Sequence, residues 1–268
     1  MKDYKAIFDK VDSTLISIGS RNLPSEKIRA NLDEYKYLES GTFSDAEYYW
    51  ILVYVVFYSG FRAATVNTKL DLIRKYFPDY ETVAGYENNK IDEILSDPEM
   101  IKNRRKVQAC VENARTFKGI VSEHGSFRVY IDSFAPTASF ENLMLLKEEL
   151  EYRFGGLGRV TTYHFLTDIG LPVLKPDRVM CRIFQRLELV ESDEQLLKTV
   201  IQGRKFAQAT GHPIRYIDIV FVAYGQMESK DFGLTSGICL EQNPLCSLCG
   251  VKDCCNYYAQ NVAQATVQ

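Results

Sequence analysis

The chain has 268 residues, of which 46% are hydrophobic and 25% charged, and its net charge at pH 7 is −3. That composition suits a globular protein with a sizeable core and excludes collagen-like or low-complexity chains. No run reaches the about 18 apolar residues of a membrane span, and Met1 to Lys10 mixes acid and base where a signal peptide is apolar, so an intracellular protein with no membrane role is expected.

Helical periodicity dominates from the first third of the chain onward. Residues 45–59 read as a buried helix, opened by a cap at Ser44 or Asp45 and stopped by Gly60. A second helix is expected over 62–76, ending before Pro78, then a short one near 89–96 and a long one over 99–118 with Pro98 at its entry. Glu141 to Arg153 is amphipathic, Val160 to Ile169 less regularly so, and further helical runs cover 177–187, 193–205 and 213–226. No alternating strand pattern and no solenoid repeat stands out, so the fold class is all-α. Two segments interrupt the helices by composition. One is the glycine-rich corner Phe154-Gly155-Gly156-Leu157-Gly158, and the other is the extended connector from Gly170 to Pro176.

Seven cysteines are present, and five of them crowd between Cys239 and Cys255. In a reducing compartment such crowding points to a metal rather than to disulfides. Cys239, Cys246, Cys249 and Cys255 are spaced C-x6-C-x2-C-x5-C, a set of four thiolates able to hold either zinc or an iron–sulfur cluster; Cys254 competes with Cys255 for the fourth place, and spacing favours Cys255. The glycines of the corner allow a sharp turn and close approach, and the helix that follows begins with amide N–H groups suited to a phosphate. Asp177 opens a helix in Lys175-Pro176-Asp177-Arg178, where the ordinary role of an aspartate is an N-cap. Trp50, Tyr54 and Tyr58 recur every four residues, the pattern of a core stripe. His164 reads as a hydrogen-bonded structural histidine, and Lys102, Arg104, Arg105 and Lys106 as a solvated helix face.

The glycine corner, a helix, a connector, an aspartate and a four-cysteine loop follow one another in an order that resembles the helix-hairpin-helix DNA glycosylase superfamily, over roughly residues 45–255. The x6 spacing with Pro244 inside it is similar to the iron–sulfur loop of endonuclease III and the adenine glycosylases. The resemblance implies two lobes: residues 44–169 carrying the hairpin, and 1–43 joined to 170–268 carrying the cluster loop, 239–255. It implies a [4Fe–4S] cluster on Cys239, Cys246, Cys249 and Cys255, with zinc the alternative. It also implies a phosphate clamp at Gly155, Gly156 and Gly158 flanked by Arg159 and Lys175, and an essential carboxylate at Asp177. The partner is then double-stranded DNA holding a damaged base; nothing in the sequence demands a second copy, and a monomer is expected.

A second resemblance covers Phe43 to Phe134. Gly60-Phe61-Arg62, the run Ile101 to Ala109 and Asn113-Ala114-Arg115 are similar to the 3-methyladenine glycosylase I group. This implies an alkylated purine as substrate, Trp50 and Tyr54 lining a base pocket, and Phe61 or Arg62 filling the gap left by a flipped base. The chain departs from both patterns. Bifunctional members carry a lysine where this chain has Val160, and without an amine no imine forms there, so a glycosylase without lyase activity is expected. The pocket glutamate of the 3-methyladenine group falls near Val55, and that group's zinc-binding residues have no counterpart. Excision of another modified base, and a noncatalytic DNA-binding or redox-sensing metalloprotein, are the rival readings.

Overall fold

The computed structural model describes residues 2–37 and 42–261. Its helices in chain order are α1 (Tyr4–Gly19), α2 (Ser25–Asp33), α3 (Asp45–Tyr58), α4 (Ala63–Asn67), α5 (Leu70–Tyr76), α6 (Tyr80–Ala84), α7 (Asn88–Ser96), α8 (Arg104–His124), α9 (Phe127–Ser133), α10 (Phe140–Arg153), α11 (Thr161–Asp168), α12 (Arg178–Arg186), α13 (Leu196–Thr210), α14 (Ile214–Gly225) and α15 (Asn256–Asn261). Among the described residues there is no strand, only an isolated bridge between Ser229 and Leu234. Two compact units are formed: residues 41–171, and the described part of 1–40 with 172–268.

In the unit of residues 41–171, α3 starts at a capping box. The Ser44 hydroxyl accepts from Glu47 N–H at 3.3 Å, and the Glu47 carboxylate accepts from Ser44 N–H at 2.7 Å. Apolar on almost every side, α3 lies at the centre of this unit, packed against α8, α9 and α11. Beside it the stacked rings of Phe117 and Phe127, 4.3 Å apart, join α8 to α9. The segment 62–76 is two short helices, not one, with the break at Thr68 and Lys69. Its first half, Thr65-Val66-Asn67-Thr68, consists of β-branched residues and asparagine, which hold a helix poorly. The helix expected over 99–118 begins only at Arg104, capped by the Asn103 side chain, because Asp97 to Met100 forms a turn. It runs on to His124, where Gly125 ends it in the left-handed conformation.

In the other unit α1, α12, α13 and α14 pack around a cluster of phenylalanines. Phe206 and Phe221 are 5.0 Å apart, Phe184 and Phe221 5.2 Å, and Phe8 and Phe221 5.9 Å. From the N-terminal segment α1 buries Ile7, Phe8, Val11, Leu15 and Ile16 at helical spacing. The connector before α12 is fixed by Leu174, which is fully buried against Gly203 of α13. A Cβ at Gly203 would sit 1.8 Å from Leu174 Cδ2, so only glycine admits this contact. The connector thereby delivers Asp177 to a defined place.

Candidate functional site

Asp177 is the N-cap of α12. Its Oδ1 accepts from Val179 N–H at 2.9 Å and Met180 N–H at 3.0 Å, satisfying two of the donors that a helix start leaves without partners. Oδ2 takes no part in the cap and stands 3.8 Å from Lys175 Nζ. The side chain is 22% exposed, so this carboxylate is neither sealed in the core nor loose in solvent. Behind it, Asp218 on α14 is fully buried. Burial pushes its pKa up to about 6, against the pull of the Arg215 guanidinium 2.6 Å away, and the negative charge of Asp177 pushes it further the same way. A part-exposed carboxylate, with its orientation set by two backbone N–H groups, is suited to stabilising a developing positive charge.

The glycine corner is held from α8. Asn113, buried, donates from Nδ2 to Gly155 C=O at 2.8 Å and accepts from Gly155 N–H at 2.7 Å. Gly156 turns at φ +83°, a conformation that a Cβ would strain, and presses on Val56 of α3. Gly158 N–H is taken by the Thr161 hydroxyl at 2.6 Å, so neither it nor the Gly155 amide is open to a phosphate. Arg159 is exposed at the tip, and Val160, half-buried, is the N-cap of α11 with no side-chain bond. Asn113→Ala is expected to leave both Gly155 groups unmet and to destabilise the unit by about 2–4 kcal/mol, checked by urea unfolding.

The four spaced cysteines line one small cavity with Arg186, Pro244, Lys252 and Tyr257, and Cys255 is the fourth of them. Cys254 instead points its thiol at Val251 C=O, 3.3 Å away. Two side chains from the helices beneath reach the sulfurs. Arg186 of α12 donates to Cys239 Sγ at 3.3 Å and to Leu240 C=O at 2.7 Å, and its guanidinium lies 4.0 Å from the centre of the Tyr257 ring. The Tyr224 hydroxyl donates to Cys249 Sγ at 3.2 Å, while its carbonyl accepts from Cys239 N–H at 2.9 Å. Burial pushes the thiols of Cys239 and Cys249 up, and these two donors oppose it. Among the described residues no three His, Cys, Asp or Glu side chains gather around a point where a single ion would sit.

The remaining residues singled out by sequence lie on or beside α3. Trp50, Tyr54 and Tyr58 form an edge-to-face row, 5.7 and 5.9 Å between centres, and they are half-buried, not a core stripe. Val55 is fully buried. Gly60-Phe61-Arg62 is an exposed turn. Lys106, expected on a solvated face, reaches back to this turn instead. Its ammonium donates to the carbonyls of Val56 and of Ser59 (2.7 Å for the latter), lies 5.4 Å from the Phe61 ring, and has its pKa lowered by burial. Local spacing gave no sign of this, since the partners lie 47 and 50 residues away in sequence. Lys106→Met is expected to free the turn at a cost of about 1.5–3 kcal/mol, the worth of charge-assisted bonds, with faster amide exchange at Phe61 and Arg62 as the check. His164 and Asp168 of α11 also meet the aromatic row.

Residues 34–154 match the family model described as methyladenine glycosylase. Among solved structures, 3-methyladenine DNA glycosylase I from Staphylococcus aureus is 23% identical, over 48% of this chain and 78% of that one, with a TM-score of 0.43. The 8-oxoguanine DNA glycosylase of Thermotoga maritima is 18% identical over 80% of this chain and 95% of that one, with a TM-score of 0.52. The chain is thus similar to helix-hairpin-helix DNA glycosylases in its family match and in its all-helical fold. No helix among the described residues is long and apolar enough to cross a membrane.

Proposed function

We propose, from the premise that this chain has a methyladenine glycosylase region at residues 34–154 and a DNA glycosylase fold, that it is a monofunctional DNA glycosylase of base excision repair, acting on an alkylated purine in double-stranded DNA. The observation that carries the reading is the Asp177 carboxylate: one oxygen is fixed by the helix start, and the other is part-exposed beside Lys175. A base inside a duplex is out of reach, so the nucleotide must be turned out of the stack before reaction. As the base departs, positive charge grows on the sugar ring, and an oriented carboxylate lowers the energy of that state and holds the attacking water. Gly156 and Arg159 at the corner, with Lys175 at the connector, are the proposed phosphate contacts, while Gly155 and Gly158 shape the turn that presents them. Arg159 supplies the full charge there, since two of the corner's amides are already engaged. Phe61 and Arg62 are the proposed wedge, and Trp50 and Tyr54 the proposed pocket wall. Val160 offers no amine, so the product is an abasic site in an unbroken strand.

The thiols of Cys239, Cys246, Cys249 and Cys255 are the proposed ligands of a [4Fe–4S] cluster. A single zinc needs four sulfurs about 2.3 Å from one ion. The C-x6-C-x2-C-x5-C spacing and the softness of four thiolates support the cluster, with zinc the alternative. When bound, the cluster supplies a covalent staple for a loop with little core of its own. Arg186 and Tyr224 then donate to ligand sulfurs and hold the loop on α12 and α14.

The test is a panel of duplexes, each with one modified base, incubated with the purified protein and then treated with alkali. Breaks that need alkali and occur at alkylated purines are the expected result. Breaks without alkali overturn the monofunctional part. Excision confined to oxidised or deaminated bases overturns the substrate.

A further inference from the structure

An α-helix leaves its last carbonyls without partners in the helix, and where the chain then turns into solvent, water commonly takes them. At the end of α3 a side chain does so instead. Val55 C=O accepts from Ser59 N–H at 3.3 Å and Tyr58 C=O from Phe61 N–H at 3.1 Å, with Gly60 between them at φ +73°. Val56 C=O and Ser59 C=O both receive the ammonium of Lys106, which reaches them from the first turn of α8. The root of that lysine is fixed in turn, because Asn103 caps α8 by accepting from Lys106 N–H at 3.2 Å. Burial lowers the Lys106 pKa: the charge has exchanged water for two carbonyls and for the Phe61 ring, 5.4 Å away.

Surface turns are ordinarily among the least ordered parts of a fold, since solvent satisfies their backbone and few contacts hold them. Gly60, Phe61 and Arg62 stand in solvent, with Phe61 38% exposed, yet the turn is anchored on both sides. Before it lie Lys106 and the buried end of α3, at Val55, Val56 and Phe57. After it Arg62 C=O accepts from Thr65 N–H at 3.0 Å and from Val66 N–H at 3.3 Å, which opens α4. A part-exposed ring adds little to the core. What the fixed base supplies is preorganisation: the ordering of turn and ring, about 0.5–1.5 kcal/mol for each side chain, is met in the free protein and not on binding.

We propose that Lys106 is a positioning residue for entry into a DNA duplex: by pinning the end of α3 and bearing on Phe61, it holds that ring ready to enter the base stack. This deepens the glycosylase reading, on which it rests for the duplex and for the wedge. Lys106 itself touches no DNA, and its contribution falls on opening the stack, not on bond cleavage or on phosphate attraction. A single strand has no paired stack to open. Removing Lys106 should therefore weaken duplex engagement and spare a single strand, whereas a lost phosphate contact or a loosened fold would weaken both.

The full-length protein is titrated against a duplex that carries a tetrahydrofuran abasic-site analogue with 2-aminopurine as the neighbouring base, whose fluorescence rises on unstacking. Binding to the same strand without its complement is followed by anisotropy of an end label at the same salt. The wild type should give a saturable rise on the duplex. Lys106→Met should need at least about tenfold more protein for half of that rise, and should bind the single strand within about twofold of the wild type. Lys106→Gln, which keeps donors for the carbonyls without the charge, should lose part of the response and serves if the methionine variant does not fold. Phe61→Ala should abolish the rise, and adding Lys106→Met to it should weaken duplex binding by less than about twofold, since both act through one ring. No rise in the wild type, a rise unchanged in both Lys106 variants, an equal loss on the two forms of DNA, or a full loss that persists beside Phe61→Ala overturns the inference. The duplex panel separates the two ideas. Excision with a rise indifferent to Lys106 sinks the positioning role alone, and a Lys106-dependent rise in a protein that excises nothing sinks the glycosylase reading alone.

Discussion

Asp177→Asn is expected to fold normally and to lose excision by about 10²- to 10⁴-fold, the range for removing an electrostatic stabiliser or a group that handles the water. Asparagine keeps a side-chain oxygen to accept from Val179 and Met180 N–H, so the cap of α12 survives. Only the charge and the second carboxylate oxygen are lost. Asp177→Ala is a poorer test, because it also removes the cap, at about 1 kcal/mol. Single-turnover excision on the preferred duplex, beside thermal unfolding of both variants, separates chemistry from stability. Asp177→Asn with undiminished single-turnover rate removes this carboxylate from the mechanism, whatever the fold resembles.

Cys249→Ser and Cys255→Ser should each give a colourless protein that has lost its iron, whereas Cys254→Ser should leave both colour and iron content unchanged. The distinction follows from which thiols line the cavity: Cys255 is among them, and Cys254 is turned to the Val251 carbonyl. Loss of a structural metal site belongs with the largest single-substitution effects, above about 4 kcal/mol. At about 2–4 °C per kcal/mol for a chain of this size, the unfolding midpoint should fall by about 8–16 °C. Visible absorbance, iron analysis and a thermal melt check all three statements. A colourless wild type containing zinc would replace the cluster with the alternative ion while leaving the ligand set intact.

The two groups of functional candidates differ in how they are specified. The caps at Ser44 and Asp177, the corner at Gly155 to Gly158 and the cysteine spacing are local features, and sequence displays them because the bonds that make them join residues a few positions apart. Where a local signal was misread, the cause was local too. The β-branched run at 65–68 broke a helix, and the turn at Asp97 to Met100 delayed one. Lys106 shows the other kind of failure. In a run of four basic residues it looked solvated, yet it turns inward, because the C-terminal carbonyls of α3 are brought beneath it by packing.

By itself, then, the sequence determined the all-helical class, most helix positions, the glycine corner and the four-thiol spacing, since hydrogen bonds within a turn and the sterics of glycine and proline act over short stretches of chain. Tertiary structure alone decided which side chains converge. It joined Asn113 to Gly155 and brought Tyr54 to Asp168 across 114 residues. Such meetings depend on which helix faces pack together and which rotamers that packing permits, and no spacing along one chain encodes either.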